Sequence, residues 1–68
     1  MEKDWVKIYS NSDVIKAEMA KSFLLENNIQ SVVINKKDSS LFIGEAELYV
    51  KQEDVLKATH LIKNIFDA

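Results

Sequence analysis

Apolar and polar residues alternate in the first segment of the chain, as they do in a strand with two unlike faces. From Trp5 to Tyr9, the residues Trp5, Lys7 and Tyr9 fall on one face, and Val6 and Ile8 fall on the other. The pattern predicts a first β-strand with a mixed aromatic and charged outer face.

Two later segments also predict strands. The β-branched run "IQSVVINK" favours a second strand that ends near Lys36. The run "AELYV" alternates again, with one face made of Ala46, Leu48 and Val50 and the other of Glu47 and Tyr49. We expect these two strands to form a hairpin.

The segment "DVIKAEMAKSFLLENN" repeats its apolar residues at spacings of three and four, which predicts a helix with a broad apolar arc. The arc combines two rows, Ala17, Ala20, Leu24 and Ile15, Met19, Phe23. Ser10 with Asp13 three residues later, or Ser12 alone, is the expected N-terminal cap, and the helix should begin near residue 12. Asn27 and Asn28 are expected to end the helix, because asparagine tolerates the left-handed conformation, and Ile29 can then fold back onto it.

The last segment, "QEDVLKATHLIKNIFDA", predicts a second helix. Its apolar arc consists of Val55, Ala58, Ile62, Ile65 and Phe66, and its polar side of Glu53, Lys57, His60 and Asn64. Glu53 and Asp54 in the first turn suit the positive end of a helix dipole.

The predicted order is therefore β-α-β-β-α. A right-handed crossover leaves a gap between the first two strands that the third fills, which predicts an antiparallel three-stranded sheet of order 1-3-2 with both helices on one face. This α+β arrangement is a ferredoxin-like half-sandwich. It makes the first strand an edge and leaves the second face of the sheet without helices.

The length and composition of the chain limit the interactions that can stabilise this fold. A chain of 68 residues predicts one domain, residues 1–68, that buries a limited core. The chain has no cysteine, and a single histidine, His60, makes a structural zinc site implausible. We predict no metal and no cofactor, and self-association is the remaining route to added stability.

Charge and hydropathy limit the classes of binding partner that we expect. The net charge of −2 lacks the basic footprint of most nucleic-acid-binding domains, so it disfavours nucleic acid. Apolar runs are far shorter than the ~20 residues of a spanning helix, and the start "MEKDWVKIYS" lacks the apolar stretch of an export signal. No membrane association and a cytoplasmic location are the expectations.

Three segments together resemble a known family. They are the aromatic first strand "WVKIYSNSD", the helix "IKAEMAKSFLLENNI" with its alanine-glutamate pair, and the acidic helix start in "LYVKQEDVLKATHLI". Across roughly residues 5–65 the chain resembles the putative prokaryotic signal-transducing protein family. Where members of that family usually end the first helix with glycine, this chain has Asn28.

The resemblance implies a fold similar to that of the nitrogen-regulatory PII signalling proteins. In those proteins the loop between the second and third strands docks partners, and residues 35–45 occupy the corresponding place here. This loop is much shorter, and the chain has no glycine-rich phosphate cradle, so the resemblance does not extend to nucleotide binding of the PII kind.

Candidate catalytic groups are few. His60 has no carboxylate three or four residues away to orient it, so a solvated histidine is the favoured interpretation and no enzymatic activity is predicted. Glu45 and Glu47 could act as paired carboxylates, but no histidine or arginine cluster accompanies them. We interpret them as solubilising charges.

The helix-free face of the sheet is the first candidate binding surface. It is expected to carry the aromatic residues Trp5, Tyr9 and Tyr49, with Lys7 among them. Contiguous aromatics favour a protein interface. Stacking of RNA bases is a weaker alternative, because the glycine-aromatic signature of RNA-recognition folds is absent. The rings could also simply shield their own sheet.

The second candidate is the loop "NKKDSSLFIGEAE", in which Lys36, Lys37 and Phe42 are potential partner contacts. Phe42 could equally act as a lid on the core, with Gly44 supplying a turn into the third strand. The sequence thus predicts a non-enzymatic regulatory or signal-transducing module that binds a protein partner or, as a homodimer, itself. A small-ligand sensor is the alternative, and an RNA-binding module ranks third.

Overall fold

A computed structural model describes residues 4–35 and 46–66. The elements follow the predicted order, and a 3₁₀ turn at Gln52–Asp54 leads into the second helix. Their bounds are β1 Trp5–Asn11, α1 Val14–Glu26, β2 Ser31–Asn35, β3 Ala46–Lys51 and α2 Val55–Phe66. The β-α-β-β-α prediction is confirmed.

The three strands form one antiparallel sheet in the order β1-β3-β2, as predicted. Opposite residues of an antiparallel pair lie on the same face, so Val6 and Val33 share the face of their β3 partners Val50 and Leu48. With β3 in the centre, β1 and β2 are the two edges of the sheet that the described residues form.

The core lies between the sheet and both helices. Leu48 and Val50 of β3 are fully buried against Ala20 and Leu24 of α1 and against Ala58 and Ile62 of α2. Two helices therefore cover one face of the sheet, which confirms the predicted half-sandwich.

The ends of α1 are held by local hydrogen bonds. The cap is Asp13, not the predicted serines, since its Oδ1 accepts from the Ile15 amide at 2.9 Å. At the other end Asn28 has a φ of 65°, and the Ile29 amide donates to the Leu24 carbonyl at 2.9 Å. This is a Schellman motif with asparagine at the left-handed position, and buried Ile29 is the predicted hydrophobic follower.

The apolar arc of α1 is only partly buried, which corrects the prediction. Ala17, Ala20 and Leu24 are fully buried, whereas Ile15 and Met19 are 65% and 58% exposed. The short alanine side chains bring the helix backbone close to the sheet, and the neighbouring row is turned away from the core.

The placement of Tyr9 on the helix-free face is wrong. The register of β1 against β3 shifts after Lys7, so that Lys7 lies opposite Tyr49 but Tyr9 lies opposite Leu48. The extra residue, Ile8, forms a bulge that reverses the alternation of side chains. Ile8 and Tyr9 consequently both pack against the core.

Candidate functional site

The helix-free face of the sheet is the surface that carries most of the predicted site residues the structure describes. The register places Trp5 and Lys7 of β1 on this face, opposite Lys51 and Tyr49 of β3. It also brings in four residues with no role in the sequence-based site: Ser10, Val32, Ile34 and Lys51. The face therefore combines aromatic, aliphatic and charged side chains on all three strands.

A hydrogen-bonded group lies at the centre of this face. The Glu47 carboxylate accepts from the Tyr49 hydroxyl at 2.8 Å through Oε1, and from the Lys7 ammonium at 3.4 Å through Oε2. Tyr49 is two residues from Glu47 on the same strand, and Lys7 is the cross-strand partner of Tyr49, so all three side chains share one face.

Burial distinguishes Glu47 from an ordinary surface acid. Glu47 is 9% exposed, although it lies on the face without helices, whereas the Lys7 side chain is 49% exposed. The interpretation of Glu47 as a solubilising charge is therefore wrong. A buried carboxylate needs hydrogen-bond donors, and the contacts with Lys7 and Tyr49 hold those two side chains in fixed positions.

Trp5 lies at one end of the same face. The Lys51 ammonium is 5.8 Å from the centroid of the Trp5 ring, within the range of a cation–π contact. Trp5 and Lys51 are also direct cross-strand partners. The indole is half-buried, so part of its apolar surface stays accessible.

The predicted site residues do not all come together. Trp5, Lys7 and Tyr49 share the helix-free face, whereas Tyr9 lies on the opposite one. Lys36, Lys37, Phe42, Glu45 and the loop glycine fall outside the described residues.

A second surface lies on the helix layer and was not predicted. A groove of about 520 Å³ runs between α1 and the C-terminal end of α2. Among the described residues, six apolar ones line it: Val14, Ile15, Met19, Phe23, Ile65 and Phe66. The sequence signal for this groove is the second apolar row of α1, which belongs to the broad apolar arc predicted for this helix.

Groups with catalytic or metal-binding potential are sparse in the part of the chain that the structure describes. His60 is exposed on α2, as its polar surroundings predicted. Residues 4–35 and 46–66 contain no group of three or more histidine, cysteine or acidic side chains placed to hold a metal ion.

Neither described helix has the length and apolar character needed to cross a bilayer.

Comparison with known proteins identifies the family of this chain. The model of a family described as "putative prokaryotic signal transducing protein" matches residues 5–65. No curated protein and no solved structure gave a match. The matched range covers both helices up to residue 65 and all three strands, so the chain belongs to the putative prokaryotic signal-transducing protein family.

Proposed function

We propose that this chain is a non-enzymatic interaction module that transmits a signal by binding a protein partner or a second copy of itself through the helix-free face. The family description supports a signal-transducing role. The observation that carries the proposal is the apolar surface of this face, formed by Trp5, Val32, Ile34 and Tyr49 on three adjacent strands.

The chemistry of the face suits a protein partner. Aromatic residues are enriched at the buried centres of interfaces because their large apolar surface is gained at little conformational cost. Trp5 and Tyr49 are both half-buried in the chain itself, and the contact of Tyr49 with Glu47 limits its freedom before binding. A preorganised side chain loses less entropy when a partner orders it.

The same face is poorly suited to RNA. The carboxylate of Glu47 lies at its centre, and the lysine beside it, Lys7, is within 3.4 Å of that carboxylate. RNA-binding sheets present aromatic side chains on which bases stack, together with basic side chains that meet the phosphates. Here Lys7 is already engaged by the carboxylate of Glu47. The net charge of −2 acts in the same direction.

Self-association is one form of the proposal. The outer side of β1 carries backbone groups that could pair with another strand. Lys7 lies in the middle of β1 and would deter indiscriminate pairing there. A homodimer through the face or through β1 would add buried apolar surface to a small domain.

A small-ligand sensor is the second candidate function, and the helix-layer groove is the observation in its favour. Its volume of about 520 Å³ falls within the range of ligand pockets. The groove is open to solvent, however, and would leave one side of a small ligand wet. A metabolite that binds the folded chain should raise its melting temperature in proportion to ligand concentration.

Affinity capture tests the proposal. The tagged chain, its Trp5→Ala variant and a Leu56→Ala control are incubated with lysate of the source cells, and sedimentation velocity measures self-association of each. Leu56 is 87% exposed on α2 and lies outside both surfaces, so it controls for loss of any exposed apolar group. We expect a partner or a dimer that Trp5→Ala loses and Leu56→Ala keeps. Equal behaviour of the three proteins would contradict the proposal.

A further inference from the structure

The helix-layer groove has an apolar floor that is regular along α1. Ile15, Met19 and Phe23 are four residues apart and all line the groove, and Ile65 and Phe66 form its other wall. From Ile15 to Phe23 the floor extends about 12 Å along the helix axis. A floor of this length matches two turns of a partner helix, which binds such grooves through residues at i, i+3 or i+4, and i+7.

Four of the apolar residues of the groove are exposed: Val14, Ile15, Met19 and Ile65. Ile15 and Met19 are more than half exposed, and Ile65 at the other wall is 37% exposed. Met19 adds an unbranched, polarizable side chain that adapts to the shape of a partner. Exposed apolar residues that lie together, unlike single ones, are typical of interaction sites.

Charge identifies the kind of partner. Of the described residues that line the groove, two are ionisable, Glu18 and Glu26, and both are acidic. They are eight residues apart with Ser22 between them, so they form a polar row parallel to the apolar one. Neither carboxylate forms an ion pair within residues 4–35 and 46–66. The groove therefore presents an apolar floor with an unneutralised acidic border.

We propose that this groove docks a cationic amphipathic helix of a protein partner, with apolar side chains on Met19 and lysine or arginine near Glu18 and Glu26. The proposal rests on the proposed function only in taking the ligand to be a protein, and it concerns the layer opposite the helix-free face. A basic helix would gain contact with both carboxylates while its apolar stripe covers the floor.

A second copy of the chain fits the groove less well. Two copies related by a two-fold axis would bring two sets of Glu18 and Glu26 into one interface, and none of the described residues that line the groove is basic and could compensate for them. Like charges facing each other across an interface oppose association, so a self-dimer through this groove is the competing outcome.

The test uses a synthetic 18-residue helical peptide of leucine and lysine, with the leucines on one face. The methyl groups of methionine are ¹³C-labelled, and the Met19 signal, assigned with Met19→Leu, is followed by NMR as peptide is added. Two matched variants each remove two acidic charges: Glu18→Gln with Glu26→Gln inside the groove, and Asp4→Asn with Glu53→Gln outside it. A peptide with glutamate in place of lysine is the charge control.

We expect a saturable shift of the Met19 methyl with the lysine peptide and none with the glutamate peptide. Loss of the two groove carboxylates should weaken binding by about fivefold, whereas the outside pair should change it less than twofold. An unmoved Met19 signal, or equal weakening in both variants, would overturn the proposal. So would a concentration-dependent Met19 shift without peptide, which would indicate a self-dimer.

Failure here is separable from failure of the proposed function. Trp5 lies on the opposite layer from Met19, so Trp5-dependent capture or dimerisation does not depend on the groove. The lone tryptophan also reports on its own surface by fluorescence. Peptide bound in the groove should leave Trp5 emission unchanged, and a shift in emission with an unmoved Met19 signal would contradict the groove assignment.

Discussion

The ring of Tyr9 stacks on the ring of Phe66, with centroids 4.9 Å apart and planes within 9° of parallel. This contact joins the edge strand β1 to the last turn of α2. It exists because the bulge at Ile8 turns Tyr9 toward the helices, and Asn11 donates to the Tyr9 hydroxyl at 3.0 Å. Tyr9 is thus a packing residue that fastens the C-terminal end of α2 to the sheet.

The first prediction is an energetic coupling between Tyr9 and Phe66. Each is replaced by leucine, singly and together, and the free energy of unfolding is measured in urea. Because stacked aromatic pairs contribute beyond their buried area, the double-mutant cycle should give a coupling of about 1 kcal/mol. A second cycle, which combines Trp5→Leu with Phe66→Leu, is the control, since Trp5 lies on the other face of the sheet. A coupling energy within error of zero would show that the two stacked rings do not stabilise each other.

The second prediction concerns the left-handed residue at the end of α1. Alanine pays a steric cost at the φ of 65° that Asn28 adopts, so Asn28→Ala should lower the free energy of unfolding by about 1 kcal/mol. Asn28→Gly removes that cost and should leave stability equal or higher. Gln30→Ala, at an exposed neighbour, is the control for helix-end substitutions. If alanine and glycine were equally stable at residue 28, the Schellman assignment would be wrong.

The third prediction concerns the buried carboxylate of the helix-free face. Glu47→Gln keeps the shape of the side chain but replaces charged hydrogen bonds with neutral ones, and this should cost about 1 kcal/mol of unfolding free energy. Glu53→Gln, at an exposed acid, should change it by less than about 0.5 kcal/mol. Chemical denaturation of the two variants at one pH makes the comparison, and equal effects would show that Glu47 behaves as a surface charge.

The fourth prediction concerns Ser31, whose Oγ is buried without a hydrogen-bond partner in the described part of the chain. An unsatisfied buried hydroxyl costs stability, so Ser31→Ala should raise the free energy of unfolding by about 0.5–1 kcal/mol. Ser22→Ala, at an exposed position on α1, supplies the comparison. A loss of stability on Ser31→Ala, measured by urea titration, would indicate that the hydroxyl has a partner.

Much of the fold could be predicted from the periodicity of the apolar residues alone. Alternation in β3 placed Leu48 and Val50 inward, and the helical spacing placed Ala58 and Ile62 on the core, because each pattern has one face that must be buried. The bulge was not readable. The alternation in "WVKIY" is that of a regular strand and gives no sign of a bulge. The bulge follows from the pairing with β3, in which Tyr9 lies opposite Leu48.

Some features of the candidate sites could likewise be predicted from the sequence, and others could not. The faces of Trp5, Lys7 and Tyr49 followed from strand alternation. The burial of Glu47 did not, since it depends on side chains that meet only in the folded sheet. The groove was missed because two apolar rows of α1 competed for the core, and the close approach of Ala17 and Ala20 decided between them.

Site-specific photo-crosslinking tests the central claim, binding of a protein or a second copy at the helix-free face. A benzophenone amino acid replaces Val32, which lies opposite Tyr49 on that face, and in a separate protein it replaces Leu56. Both are produced in the source cells and irradiated. We predict a discrete adduct, with a partner or with the chain itself, from position 32 and not from position 56. Folded protein that yields no adduct at position 32, or the same adducts at both positions, would contradict it.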